Sequence, residues 1–125
     1  HGSLSTTFGW TVHVAPRVNP RSLRNFPMQA NASEILRIAI IEAVSRGIQV
    51  CAPVHDALLI EADLEDIEDA AAITVECMSE AAQYVLDGFR LNCDVDIIRW
   101  PDRYFDRRGK AMWETIMKLL PKNCT

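Results

Sequence analysis

No Cys-x-x-Cys pair occurs in this chain, and its four cysteines, Cys51, Cys77, Cys93 and Cys124, stand far apart. That spacing argues against a structural zinc site. Scattered thiols without a secretory leader read as reduced cysteines of an intracellular protein. Cys51 and Cys93 fall in segments predicted to be buried strands, where Cys behaves as a small apolar residue. No apolar run is long enough to span a bilayer. The opening His1-Gly2-Ser3-Leu4 has no basic region followed by an apolar stretch. The expectation is a cytoplasmic protein with no membrane partner. An initiator Met is also lacking, so the chain reads as a cut from something longer. Repeats, low-complexity tracts and an interior linker are missing too, which leaves one domain over residues 1–125.

What is present suffices for a core: 49% of the residues are apolar, against an ordinary 24% charged. The net charge of −4 argues, taken whole, against a nucleic-acid partner. Its distribution is uneven, however. Glu61, Asp63, Glu65, Asp66, Glu68 and Asp69 crowd one segment, while Arg17, Arg21, Arg24 and Arg37 gather earlier and Arg103, Arg107, Arg108 and Lys110 later. A molecule polarised in this way can offer a basic face to phosphates; ordinary solvated faces account for the charge equally well.

The organising stretch is Cys-Ala-Pro-Val-His-Asp-Ala-Leu-Leu-Ile-Glu-Ala, residues 51–62. Residues 48–54 and 57–62 read as short buried strands around the polar pair His55-Asp56, a hairpin with a tight connection. An Asp at a stiff tip serves as a turn residue or as a metal ligand, and spacing favours the turn.

Ahead of it, residues 6–14 read as a strand broken by Gly9, with Trp10, Val12 and Val14 on the core side. Asn19-Pro20 is a helix start, a capping side chain followed by Pro at the first helical position. Arg21, Asn25 and Gln29 then recur every four residues, which aligns three donors along one helix face. Such a row is either plain exposed surface or a set of contacts for phosphates, sugars or base edges. Pro27 predicts a kink or break, and Asn31-Ala32-Ser33-Glu34 a fresh cap. The next helix, about residues 32–46, is apolar round more than one side, and Gly47 ends it.

After the hairpin, residues 63–87 read as a helix capped by Asp63, with Ile67, Ala71, Val75, Met78, Ala82 and Val85 on its inner side. Leu91, Cys93, Val95 and Ile97 alternate with polar residues as a half-buried strand. Asp94 and Asp96 share its outer face; they form a solvated sheet face or hold a cation. Residues 99–109 form a loop in which basic residues interleave with Trp100, Tyr104 and Phe105. That composition suits nucleic-acid stacking or anchoring to a core. A last helix, about residues 110–120, presents Met112, Trp113, Ile116 and Leu120 to the core. The predicted fold class is α+β: an antiparallel sheet with a central hairpin and helices packed on one face.

Two motifs in this order carry a resemblance. Arg21-x-x-x-Asn25-Phe26-Pro27-Met28-Gln29-x-x-Ala32-x-x-Ile35, followed by Val54-His55-Asp56-Ala57-Leu58-Leu59-Ile60-Glu61-Ala62, resembles the C-terminal palm of family A DNA polymerases, the bacterial DNA polymerase I kind. The first half is similar to the family's Arg…Asn-x-Pro-x-Gln helix, the second to its motif C, Val-His-Asp-Glu. The likeness runs loosely from residue 6 to residue 98. It implies template-directed DNA synthesis by a longer parent, with primer-template DNA and deoxynucleoside triphosphates as partners. It also implies a palm-like sheet centred on the motif C hairpin. Asp56 would bind the catalytic magnesium, two Mg²⁺ ions in the complete enzyme, and His55 would lie near the primer terminus. Arg21, Asn25, Gln29 and His55 would contact the primer-template. Physically this is coherent, because phosphoryl transfer needs positioning and charge stabilisation, and minor-groove donors can sense base-pair geometry without reading sequence.

The chain departs from the pattern where Ala57 replaces the acid that follows His-Asp. No motif A strand with its second Asp precedes Arg21, and the fingers helix is missing. The expectation is a fragment inactive alone, one that exposes apolar surface and is prone to self-association. A single-subunit RNA polymerase palm and a non-catalytic, degenerate DNA-binding palm are the rival readings.

Overall fold

The computed structural model describes residues 2–120. It is a mixed α+β fold with two small antiparallel sheets and three α-helices: β1 (Ser3–Ser5), β2 (Thr11–His13), α1 (Pro20–Ser45), β3 (Gln49–Val54), β4 (Ala57–Glu61), α2 (Ile67–Val85) and α3 (Lys110–Leu119), the last preceded by a 3₁₀ turn at Arg107–Gly109. Each sheet has two strands, β1 with β2 and β3 with β4. No described helix is long and apolar enough to cross a membrane.

α1 starts where Asn19-Pro20 places it: the Asn19 Oδ1 accepts from the Arg21 N–H at 2.9 Å, and Pro occupies the first turn, where no N–H is required. Pro27 does not break it. The helix runs on to Ser45 because contacts on both sides of the proline hold it. Phe26 packs edge-on against Trp10 at 6.1 Å, and the Asn31 Oδ1 accepts from the Thr7 N–H at 3.3 Å. Asn31 therefore ties down a loop instead of capping a second helix, and Glu34, expected as a capping acid, is buried. Gly47, at φ +84°, turns the chain out of α1 in the left-handed conformation that glycine adopts without cost.

The core is the seam between α1 and α2. Ile35 and Ala39 meet Ala81, Ala82 and Val85, and a second cluster joins Ala43, Ile48, Ala70 and Cys77. Small side chains at the seam allow close approach of the two helices. Leu58, Val50 and Ile60 of the β3–β4 hairpin close one side of it. α1 is covered by α2 along Ile35, Ala39 and Ala43 and, on another side, by the β1–β2 turn at Glu34, whose carboxylate meets Thr6; Ile41 and Val44 are exposed.

Several other expectations are corrected. The strand predicted over 6–14 is a hairpin whose turn, residues 6–10, carries Gly9 at φ +83°; Thr6 is buried and Trp10 is exposed. β3 and β4 are half-covered rather than buried, so Cys51 is exposed. Cys77 is buried and Cys93 partly so; both are free thiols, while Cys124 lies outside the described residues. α2 begins at Ile67, and the Asp63 carbonyl accepts from Asp66 N–H in a turn before it. Residues 91–98 form no strand, because no partner strand lies beside them. The segment lies along α2, held where the Ser79 hydroxyl donates to the Leu91 carbonyl at 3.4 Å and where Arg99 pairs with Glu68. One antiparallel sheet with helices on one face is thus replaced by two separate ribbons. α3 has no buried side chain among the described residues, and Met112, Trp113, Ile116 and Leu120, assigned to the core, are exposed.

Candidate nucleic-acid interface

The β3–β4 hairpin delivers His55 and Asp56 to its tip. Val54 pairs with Ala57, which leaves a two-residue turn. His55 takes the first central position at φ +56°, in the left-handed region that glycine adopts most easily and that Asn, Asp and His adopt more readily than other side chains. A register shift between Val50 and Ala52 makes Cys51 the extra residue of a bulge, which bends the ribbon below the tip. Both tip side chains are exposed.

Asp56 stands on the rim of a cleft of about 490 Å³. α1 contributes Ala32, Ile35 and Leu36 to its wall; β4 adds Leu58 and Ile60; α2 adds Thr74, Val75 and Met78. Residues 91–98 form the far side, which brings Asp94 and Asp96 into the same cleft as Asp56. Cys93 lines it as well. Burial, and then the neighbouring Asp94 charge, push its thiol pKa up, so it is not a ready nucleophile.

Arg21, Asn25 and Gln29 are all exposed on α1. Helical spacing extends their row through Ala32 and Leu36, which wall the cleft, to Ala39 and Ala43, which are buried in the seam. The stripe that faces the hairpin in the inner half of the helix is therefore the stripe that carries the donors in its outer half. From Arg21 to Gln29 it spans roughly 12 Å at the rise of an α-helix. By helical spacing the donors continue the stripe whose inner part lines the cleft with Asp56. No hydrogen bond or ion pair links the row to His55 or Asp56 among the described residues.

One carboxylate does not make a magnesium site. Among the described residues no group of three or more His, Cys, Asp or Glu side chains is placed to hold a metal ion. Asp56 by itself fits one ligand of an ion whose other ligands come from elsewhere, as Mg²⁺ sites built on one or two carboxylates and substrate phosphates do.

Sequence reasoning missed the loop that flanks the row. The Thr6 hydroxyl donates to the buried Glu34 Oε1 at 2.6 Å and accepts from the Trp10 N–H at 3.0 Å. The Thr7 hydroxyl reaches the Val85 carbonyl at 3.2 Å, and Phe8 stacks on Tyr84 at 5.7 Å. The Oε2 of Glu34 has no hydrogen-bond partner among the described residues. One signal was available: Glu34 is the first acidic residue of the chain, so residues 1–33 carry three arginines and no carboxylate side chain.

Two curated proteins show similarity to this chain. DNA polymerase I of Deinococcus radiodurans is 30% identical over 97 aligned residues, covering 66% of this chain and 10% of the relative. A thermostable DNA polymerase I of Thermus caldophilus is 32% identical over 94, covering 64% of this chain and 11% of the relative. The chain spans about a tenth of the length of these relatives. No family model matches, and no solved structure matches. The chain is distantly related in sequence to DNA polymerase I.

Proposed function

We propose that this chain is the C-terminal palm portion of a family A DNA polymerase and supplies the primer-template face of a template-directed nucleotidyltransferase. The observation that carries the reading is the stripe of α1: by helical spacing the positions of Arg21, Asn25 and Gln29 continue through Ala32 and Leu36, which line the cleft with Asp56. The relationship to DNA polymerase I supports it. So does the tip itself. Its two-residue turn leaves the His55 and Asp56 side chains exposed next to each other.

In this reading the three donors and His55 hold the duplex through its minor groove, where the acceptor pattern is nearly the same for every base pair. Asp56 is one ligand of the magnesium that the complete enzyme uses with its deoxynucleoside triphosphate. In this reading the chain is inactive alone, because one carboxylate is a single ligand and the other ligands come from the rest of the parent and its substrate. Asp56→Asn in the parent enzyme is expected to lower nucleotide addition by more than about a hundred-fold, the scale of losing metal-assisted charge stabilisation. DNA affinity should stay within a few-fold of wild type. Extension at the wild-type rate by the Asn variant refutes the assignment.

Ala57, in place of the family's acid, favours one second reading, a palm that binds DNA without chemistry. It predicts an Asp56→Asn parent no different from a parent that is already inactive.

A further inference from the structure

We infer that the cleft beside Asp56 is the seat of one extended strand, supplied by the part of the longer parent chain outside residues 1–125, which pairs its backbone with β4 on one side and with residues 92–98 on the other. The inference rests on the reading of the chain as a portion of a longer polymerase and adds what fills the cleft.

Unpaired backbone groups identify the occupant as polypeptide. Residues 92–98 carry the alternation of a strand, yet they make no backbone–backbone hydrogen bond among the described residues. Their one tie nearby is at the start, where the Ser79 hydroxyl donates to the Leu91 carbonyl. Cys93 and Ile97 are half-buried, while Leu91 and Val95 stay 40% and 49% exposed. The backbone groups of a partly buried segment need partners, and a segment with this alternation takes them from a neighbouring strand.

Across the cleft stands β4, whose only strand partner is β3. The two open edges of that ribbon differ. β3 carries Pro53, which has no N–H, and the bulge at Cys51; both blunt an edge against pairing. β4 carries neither. Val54 and Ala57 close the turn, so by alternation the N–H and C=O groups of Leu58 and Ile60 point away from β3. Leu58 and Ile60 line the cleft, and so does every residue from Leu91 to Ile98. Two walls with free ladder groups thus border one gap. α1 and α2 line it with Ile35, Leu36, Val75 and Met78, which selects a strand apolar at every second residue. A second copy is the poorer occupant. Its own unpaired segment would bring Asp94 and Asp96 against the Asp56, Asp94 and Asp96 that already line this cleft. The chain spans about a tenth of its relatives' length, so a parent of that size has ample chain to supply the strand.

The test is amide hydrogen exchange in the full-length parent and in the 125-residue chain, with primer extension by the parent measured in parallel. Leu58, Ile60 and every second amide across residues 92–98 should exchange about a hundred-fold more slowly, or slower still, in the parent, the scale that separates a paired strand from an open edge. The alternation is the signature of a ladder, because a helix or loop laid over the cleft shields successive amides alike. Uniform protection across residues 92–98, or none, overturns the strand; where that parent extends primers, the polymerase reading still stands. Alternating protection in a parent that extends no primer keeps the strand and removes the polymerase. Alternating protection that arises in the 125-residue chain itself and grows with its concentration makes a second copy the occupant and overturns the parent strand. A gene that encodes nothing beyond these residues overturns both.

Discussion

Residues 20–31 and residues 32–45 form one helix and share one stripe, yet the two halves meet different surroundings. In the inner half the stripe is Ala32, Leu36, Ala39 and Ala43, small and apolar, closing the cleft and packing into the seam with α2. In the outer half it is Arg21, Asn25 and Gln29, and nothing in the chain covers it. The outer half packs too, on its other side, where Ala30 is buried and Phe26 and Asn31 meet the β1–β2 hairpin. Continuing α1 for three turns past the seam, through a proline, costs helix propensity that the hairpin contacts at Phe26 and Asn31 offset. The donor stripe is thus the uncovered side of a half that is packed elsewhere.

The sharpest way to break this comparison is to place the same charge on each half. Ala39→Asp puts an unpaired carboxylate at a fully buried position against Ala81 and Ala82. It should cost more than about 3 kcal/mol and abolish the cooperative urea transition. Gln29→Asp, on the same stripe, should change stability by less than about 0.5 kcal/mol while weakening DNA binding. Equal stability losses at the two positions would mean that the donor stripe is packed as well.

A smaller effect sharpens how the outer half is braced. Thr6→Val leaves Glu34 buried with neither oxygen partnered, and should cost about 1–3 kcal/mol in denaturant unfolding. Thr6→Val together with Glu34→Leu should recover most of that loss, because removing both partners is far cheaper than removing one. Additive losses in the double variant would show the contact to be incidental. Smallest is Asn19→Ala, which removes the cap that starts the outer half and should lower stability by about 1 kcal/mol without touching the seam. An unchanged urea midpoint would mean that the outer half is not coupled to the fold.

Much of this was legible beforehand. The hairpin and its two-residue tip followed from apolar arms around His55-Asp56, and the α1 start from Asn19-Pro20, because both depend on neighbouring residues. What failed depended on distant partners. Pro27 was tolerated because a loop seventeen to twenty residues upstream packs on the helix around it, which no local pattern reveals. The strand expected from the alternation at 91–97 needs a neighbour to pair with, and alternation alone cannot supply one. α3 is amphipathic as read, but amphipathicity names a face without naming what covers it. For the site, the donor row and Asp56 were both read from local motifs. That Asp56 shares a cleft with Ala32 and Leu36 of α1 is a result of the fold, and the turn that anchors on Glu34 was hidden in a segment read as half of a strand.

The central claim, that the outer half of α1 and the hairpin tip form one DNA-facing surface, is tested most directly by nuclear magnetic resonance mapping with a primer-template duplex. The account predicts that the side-chain amides of Asn25 and Gln29 and the backbone amides of His55 and Asp56 shift together in one titration, while those of α3 stay in place. Shifts confined to α3 and the basic loop before it, with Asn25, Gln29 and the tip unmoved, would contradict it.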